Sequence, residues 1–189
     1  RTEPHVGHHS LRRWAESMPR GGFIVTSNVD GLFQKAGFAV RRVCEVHGSI
    51  HHLQCVAGCG GEIWPATGFL PQVDDAACRL TSPLPRCPRC GGLARPNILM
   101  FGDGGWLDSR QRLQFSALRH WLEDVERPLV IELGAGSQIA TVRHFGESLD
   151  VPLIRINPTE PAIGHGRGVS LAMGALAALA GIDRQLASG

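Results

Sequence analysis

Two short-spaced cysteine pairs, Cys55-x3-Cys59 and Cys87-x2-Cys90, constrain this chain more than any other feature it carries. Brought together, four thiolates complete a tetrahedral shell around a zinc ion and leave no coordination position for water, so such a metal would be structural. The second pair sits in Cys87-Pro88-Arg89-Cys90-Gly91-Gly92, the form of a zinc knuckle, where glycine after the last cysteine lets the backbone turn tightly toward the thiolate. Two disulfides are the alternative, and they need an oxidising compartment. His51 and His52 could replace one thiolate, although histidines beside a complete set of four cysteines are more often surface residues. Cys44 and Cys78 stand outside the pairs and read as ordinary small thiols.

The choice between metal and disulfides turns on the compartment, and here composition enters. The chain has 189 residues, 43% of them apolar and 19% charged, the balance of a folded protein of one domain with room for a small insertion. A formal charge of +2 with no clustered run of Lys or Arg argues against a nucleic-acid partner. No uncharged apolar run approaches the roughly 20 residues that span a bilayer, and Arg1 to His5 lacks the apolar stretch of a secretion signal. The expectation is a cytoplasmic chain with no membrane contact, whose thiols bind metal.

The rest of the chain alternates between strand and helix signals. Leu11, Trp14, Ala15 and Met18 predict an amphipathic helix over 8–18, halted by Pro19 and Gly21-Gly22. Residues 23–27 and 40–46 predict buried strands. From Leu53 to Leu93 glycine, proline and cysteine dominate and periodicity fades, which marks an insertion. Periodicity returns at 97–101, then in a helix with Phe115, Leu118, Leu122 and Val125 on one face. A strand at 128–133, a helix carrying Ile139, Val142, Phe145 and Leu149, a strand at 151–157 and a last helix with Leu171, Ala175, Leu179, Ile182 and Leu186 complete the pattern. Such alternation predicts an α/β fold: a Rossmann-like parallel sheet with helices on both faces, formed by residues 1–52 and 93–189, and a zinc-binding module at 53–92. In such sheets ligands sit at the carboxyl ends of strands. The polar and glycine-rich groups at those ends are Thr26, Ser27, Asn28 and Asp30; His47; Phe101, Gly102 and Asp103; Gly134, Ala135, Gly136 and Ser137; and Asn157.

Residues 26–32 (TSNVDGL), 45–49 (EVHGS), the two cysteine pairs and 95–103 (RPNILMFGD), in that order, resemble the sirtuin family of NAD-dependent protein deacylases, and 131–139 (IELGAGSQI) and 154–157 (IRIN) extend the resemblance. The resemblance implies NAD as co-substrate, a structural zinc held by Cys55, Cys59, Cys87 and Cys90, and removal of acyl groups, most simply acetyl, from lysines of an acylated protein or peptide, releasing nicotinamide and O-acyl-ADP-ribose. It implies that His47 is the general base, acting with Asn28, and a histidine pKa near ~6.5 suits that work at neutral pH. By the same resemblance Thr26, Ser27, Asn28, Asp30, Gly134, Ala135, Gly136, Ser137 and Asn157 contact the dinucleotide, and Phe101, Gly102 and Asp103 receive the peptide by strand addition.

Departures accompany the match. The family's glycine-rich fingerprint, G-A-G-x-S followed by Asp-Phe-Arg, is not in the sequence, and a missing amino-terminal segment of the same parent chain is the expected source. Ser27 replaces the usual glutamine, Ala135 and Gly136 replace the usual Thr-Ser, and Asp103 replaces glutamate. Two other readings stay open: a zinc-stabilised binding module or NAD sensor without catalysis, and an NAD glycohydrolase or ADP-ribosyl transferase.

Overall fold

A computed structural model of the protein describes residues 2–164 and 168–188. In chain order its elements are α1 (Val6–Ser17), β1 (Ile24–Thr26), α2 (Leu32–Lys35), β2 (Val43–Glu45), β3 (Gly48–Cys55) and β4 (Ile63–Pro65). Then come β5 (Val73–Asp74), β6 (Arg79–Leu80), β7 (Ala94–Ile98) and α3 (Ser109–Glu123). The chain closes with β8 (Val130–Leu133), α4 (Thr141–Ser148), β9 (Leu153–Ile156), β10 (Gly168–Leu171) and α5 (Ala175–Leu186). Two compact units share these elements: Arg1–Ser27, Leu32–Val46 and Gln114–Gly189 form the first, Asn28–Gly31 and His47–Leu113 the second.

In the first unit the parallel pairing expected from strand–helix alternation is present twice, as β1 beside β2 and as the ladder β10-β9-β8. Leu11 and Ala15 of α1, Ile24 of β1 and Phe33 of α2 pack on the buried Ala36, Phe38 and Val43. Helix α1 begins where the His5 ring accepts the Gly7 N–H and stops where Met18 turns extended, so Met18 falls outside the helix and is exposed, unlike the rest of its predicted stripe. Trp14 donates its indole N–H to Asp183 of α5 at 2.8 Å, fastening the first helix to the last. Residues 40–42 form a 3-10 turn before β2, which shortens the strand expected at 40–46. Leu171 lies in β10 and not in the final helix. The run from Val169 to Leu179 is apolar at both strand and helix periods, and Gly174 as N-cap decides where one gives way to the other.

The second unit is antiparallel. Strand β3 pairs with β4 on one side and β7 on the other, and β5 pairs with β6. The segment at 97–101, expected as a further parallel strand, therefore contributes Asn97 and Ile98 to an antiparallel hairpin partner of β3. No strand was expected at 48–55, because His51, His52 and Gln54 break the apolar pattern there. Gln54 is nevertheless fully buried, and tertiary hydrogen bonds explain it. Its amide donates to Gly105 O at 2.8 Å while its carbonyl accepts from Asn97 Nδ2 at 2.8 Å and Leu107 N–H at 3.1 Å. Among the described residues no helix is long and apolar enough to cross a membrane.

Candidate functional site

Cys55 at the end of β3, Cys59 in the turn after it, and Cys87 and Cys90 before β7 present their sulfurs to one another, all within 4.8 Å. Cys55 Sγ lies 3.8 Å from Cys90 Sγ and Cys59 Sγ 3.5 Å from Cys87 Sγ. A disulfide needs about 2.05 Å, so these are thiols and not bridges. Four sulfurs at about 2.3 Å from a central zinc would stand roughly 3.8 Å apart, which is the scale of the observed separations. The donor chemistry agrees: the backbone N–H of Cys59 pulls the Cys55 thiol down to about 6, and the backbone N–H of Cys90 lowers Cys87. Cys59 is pushed up to about 12, first by its hydrogen bond to the Cys90 thiol and then by the one to Cys87. A divalent cation at the centre would favour the thiolate form of its ligands.

In the same unit His47 occupies the turn before β3, half-buried, and its carbonyl accepts the Leu99 N–H at 2.9 Å. Gly48 makes this turn possible. Its φ is +83°, and an added Cβ would meet Asn97 O at 2.0 Å, so only glycine allows β7 so close. Residues 28–31 join this unit through the Ile50 N–H, which donates to Val29 O at 2.9 Å, and the His51 ring, 3.0 Å from Asp30 O. Asn28 and Asp30 thus share a compact unit with His47 although β2 lies between them in sequence.

The loop after β7 carries Phe101, 90% exposed, and Gly102 at φ +68°. Asp103 is tied inward: Arg95 Nη2 donates to its Oδ1 at 2.9 Å, Nη1 lies 2.7 Å from Oδ2, and the Gly105 N–H adds a bond of 3.1 Å. The hydrogen bond from Arg95, ahead of all else, holds the Asp103 carboxyl below the usual carboxylate range. Leu99, Met100 and Phe101 are left facing solvent on a loop braced by Asp103 and by the Gln54–Asn97 pair.

In the first unit Thr26 ends β1, and its carbonyl accepts the Val46 N–H at 2.9 Å. Ser27, Gly134, Ala135 and Gly136 line one cavity of about 310 Å³ together with Gln138, Ile139, Val142 and Glu160. Asn157 is buried at the end of β9, where its Nδ2 donates to Ala135 O at 3.1 Å and its Oδ1 accepts the Thr159 and Glu160 N–H groups at 2.9 Å. Arg143 of α4 buckles the same region, donating to Ala135 O, Glu160 O and Ala162 O at 3.1–3.3 Å. Ser137 N–H donates to Glu160 Oε2 at 2.7 Å.

Sequence reasoning placed Thr26, Ser27, Gly134, Ala135, Gly136, Ser137 and Asn157 at strand ends, and the structure gathers them in this unit. It missed Glu160, Arg143, Gln54 and Asn97. The signal available for the last two was an amide side chain in each of two strands, a residue type that a strand buries only when it is hydrogen-bonded.

The Sir2 family model matches residues 1–136. The NAD-dependent protein deacylase of Aquifex aeolicus is 36% identical over 112 residues, covering 59% of this chain and 41% of that protein. NAD-dependent protein deacetylase 2 of Caldanaerobacter subterraneus is 31% identical over 159 residues, covering 84% of this chain and 56% of that protein. The chain thus spans only about half the length of the curated relatives it matches. A solved Sir2 homologue in complex with NAD superposes over 98% of this chain and 66% of its own at a TM-score of 0.67 and 22% identity. A Sir2 structure with a p53 peptide and NAD+ covers all of this chain and 72% of its own at a TM-score of 0.66 and 21% identity. These likenesses establish the Rossmann-like α/β fold.

Proposed function

This chain belongs to the Sir2 family, and from that premise we propose that it takes part in NAD-dependent removal of acyl groups, acetyl in the first instance, from lysine side chains of a protein or peptide. The observation that carries the proposal is the family match over residues 1–136, which includes Asn28, Asp30, His47, Phe101 and all four cysteines. In this reading the four thiolates hold a structural zinc, and the spacing of their sulfurs fits that ion.

The glycine-rich cavity is the seat proposed for NAD. Gly134, at φ +67°, and the side-chain-poor Ala135 and Gly136 suit close approach of a ligand to backbone. When bound, NAD supplies an electrophilic ribose carbon that the acyl oxygen attacks as nicotinamide leaves. His47 would take a proton from a ribose hydroxyl, and its ring is set on a turn that Gly48 and the Leu99 N–H keep against β7. The acyl-lysine peptide would lie along Phe101, Gly102 and Asp103, adding as a strand where Phe101 is exposed. Residues 53–92 are proposed as the zinc module and 1–52 with 93–189 as the nucleotide-binding part. Cytoplasmic residence is proposed with them, supported by thiols that stand as thiols.

The test is nicotinamide release from NAD in the presence of an acetyl-lysine peptide. In the full-length protein nicotinamide should be released only with peptide present, and His47→Ala should abolish release while leaving the zinc content unchanged. Turnover that survives His47→Ala would refute the role of His47. Release without peptide would favour the glycohydrolase reading. Binding of intact NAD without release would favour the binding module.

A further inference from the structure

Among the described residues Glu160 is the one acidic side chain lining the glycine-rich cavity, and it is not placed at random. Its Oε2 accepts the Ser137 N–H at 2.7 Å, and Arg143 Nη1 stands 3.5 Å from the same oxygen. A Cβ built on Gly136 would come within 3.8 Å of that oxygen, so the carboxylate lies close over the turn. A backbone N–H of a glycine-rich turn backed by a guanidinium is the donor pair that a phosphate oxygen seeks. Here the protein's own carboxylate has it.

The backbone of Glu160 is held independently of its side chain. Its N–H is held by Asn157 Oδ1 at 2.9 Å and its carbonyl by Arg143 Nη1 at 3.2 Å, so the backbone stays put. The side chain is 39% exposed, on a flexible stem, and can swing out without disturbing either bond. Positions 135 and 136 carry no hydroxyl, so the turn has few donors to offer in place of the one Glu160 occupies.

We propose that Glu160 sets the anion affinity of this cavity: its carboxylate holds the place that a phosphate oxygen of the incoming ligand requires, and a diphosphate-bearing ligand binds only by displacing it. This rests on the proposed reading of the cavity as a seat for NAD, and adds that the diphosphate lies against its glycine-rich turn. The opposite role, in which the carboxylate stays and accepts a hydroxyl of the ligand, predicts the opposite sign on neutralisation.

Calorimetric titration of the chain with inorganic pyrophosphate and, separately, with ADP-ribose decides between them, using wild type, Glu160→Gln and Glu160→Ala. Loss of the competing charge-assisted hydrogen bond should tighten pyrophosphate binding roughly tenfold in both variants, and ADP-ribose binding in the same direction. Pyrophosphate affinity that is unchanged or weaker in both variants, or absent in all three proteins, overturns the proposal; so does weaker ADP-ribose binding by Glu160→Gln. Tighter pyrophosphate binding with no ADP-ribose binding by any form supports the role of Glu160 and removes the dinucleotide reading instead. Unchanged thermal unfolding of Glu160→Gln identifies an affinity change as local.

Discussion

Arg155 offers the sharpest test of how the first unit is held together. It stands in β9, fully buried, with Nε 2.5 Å from Glu132 Oε1, Nη2 2.9 Å from Glu132 Oε2 and 2.8 Å from Glu147 Oε1, and Nη1 donating to Ala162 O at 2.7 Å. Replacing it by Ala leaves the Glu132 side chain, 5% exposed, as a buried charge without its partner. Breaking a buried pair from one side costs roughly 3–5 kcal/mol. At about 2–4 °C per kcal/mol for a chain of this size, the melting temperature should fall by roughly 6–20 °C. Taking out both charges tells the two contributions apart, because swapping a buried pair for apolar groups of similar volume is often neutral or stabilising. Arg155→Met with Glu132→Leu should therefore recover most of what Arg155→Ala loses. Thermal unfolding followed by circular dichroism measures all of these. A loss under about 1 kcal/mol for Arg155→Ala, the value of an exposed pair, or a double variant no better than the single one, would show that the network does not stabilise the unit as argued.

The same network makes stability depend on pH: the hydrogen bond from Arg155 holds the Glu147 carboxyl below its ordinary range, so the unfolded chain binds the proton first. That contribution should be complete above about pH 4.3 and be lost as pH falls through the folded value, whereas Glu147→Gln should flatten this part of a stability–pH curve. Removal of the metal by a chelator should expose the four thiols of Cys55, Cys59, Cys87 and Cys90 to a thiol reagent and loosen the pairing of β3 with β7, read as loss of amide protection at Val56, whose N–H donates to Leu93 O at 3.0 Å; protection that survives complete removal of the ion would deny it a structural role.

How much of this was open to a reader of the sequence differs from element to element. The strands at 128–133 and 151–157 were visible because each is a short, largely apolar run bounded by turn residues, even though Glu132 and Arg155 interrupt it. Strand β3 was not, because Gln54 and the histidines hide its periodicity, and Gln54 is at home in the interior only through Asn97, Gly105 and Leu107, all far from it in sequence. The segment 97–101 was recognisable as extended, but its direction of pairing depends on β3, its neighbour in space.

By itself the sequence determined the metal centre, the ordered motifs around His47, Asn28 and Asp30, and the α/β alternation, because each is written in local spacing: ligand intervals, turn residues and apolar period. Only the tertiary structure decided that residues 28–31 belong with His47 and not with β1, that Asp103 is bound by Arg95, and that a carboxylate from the loop after β9 sits on the Ser137 N–H. Those are single hydrogen bonds and ion pairs between residues distant along the chain. Their partners are chosen by where the backbone brings polar groups together away from water, which no local interval records.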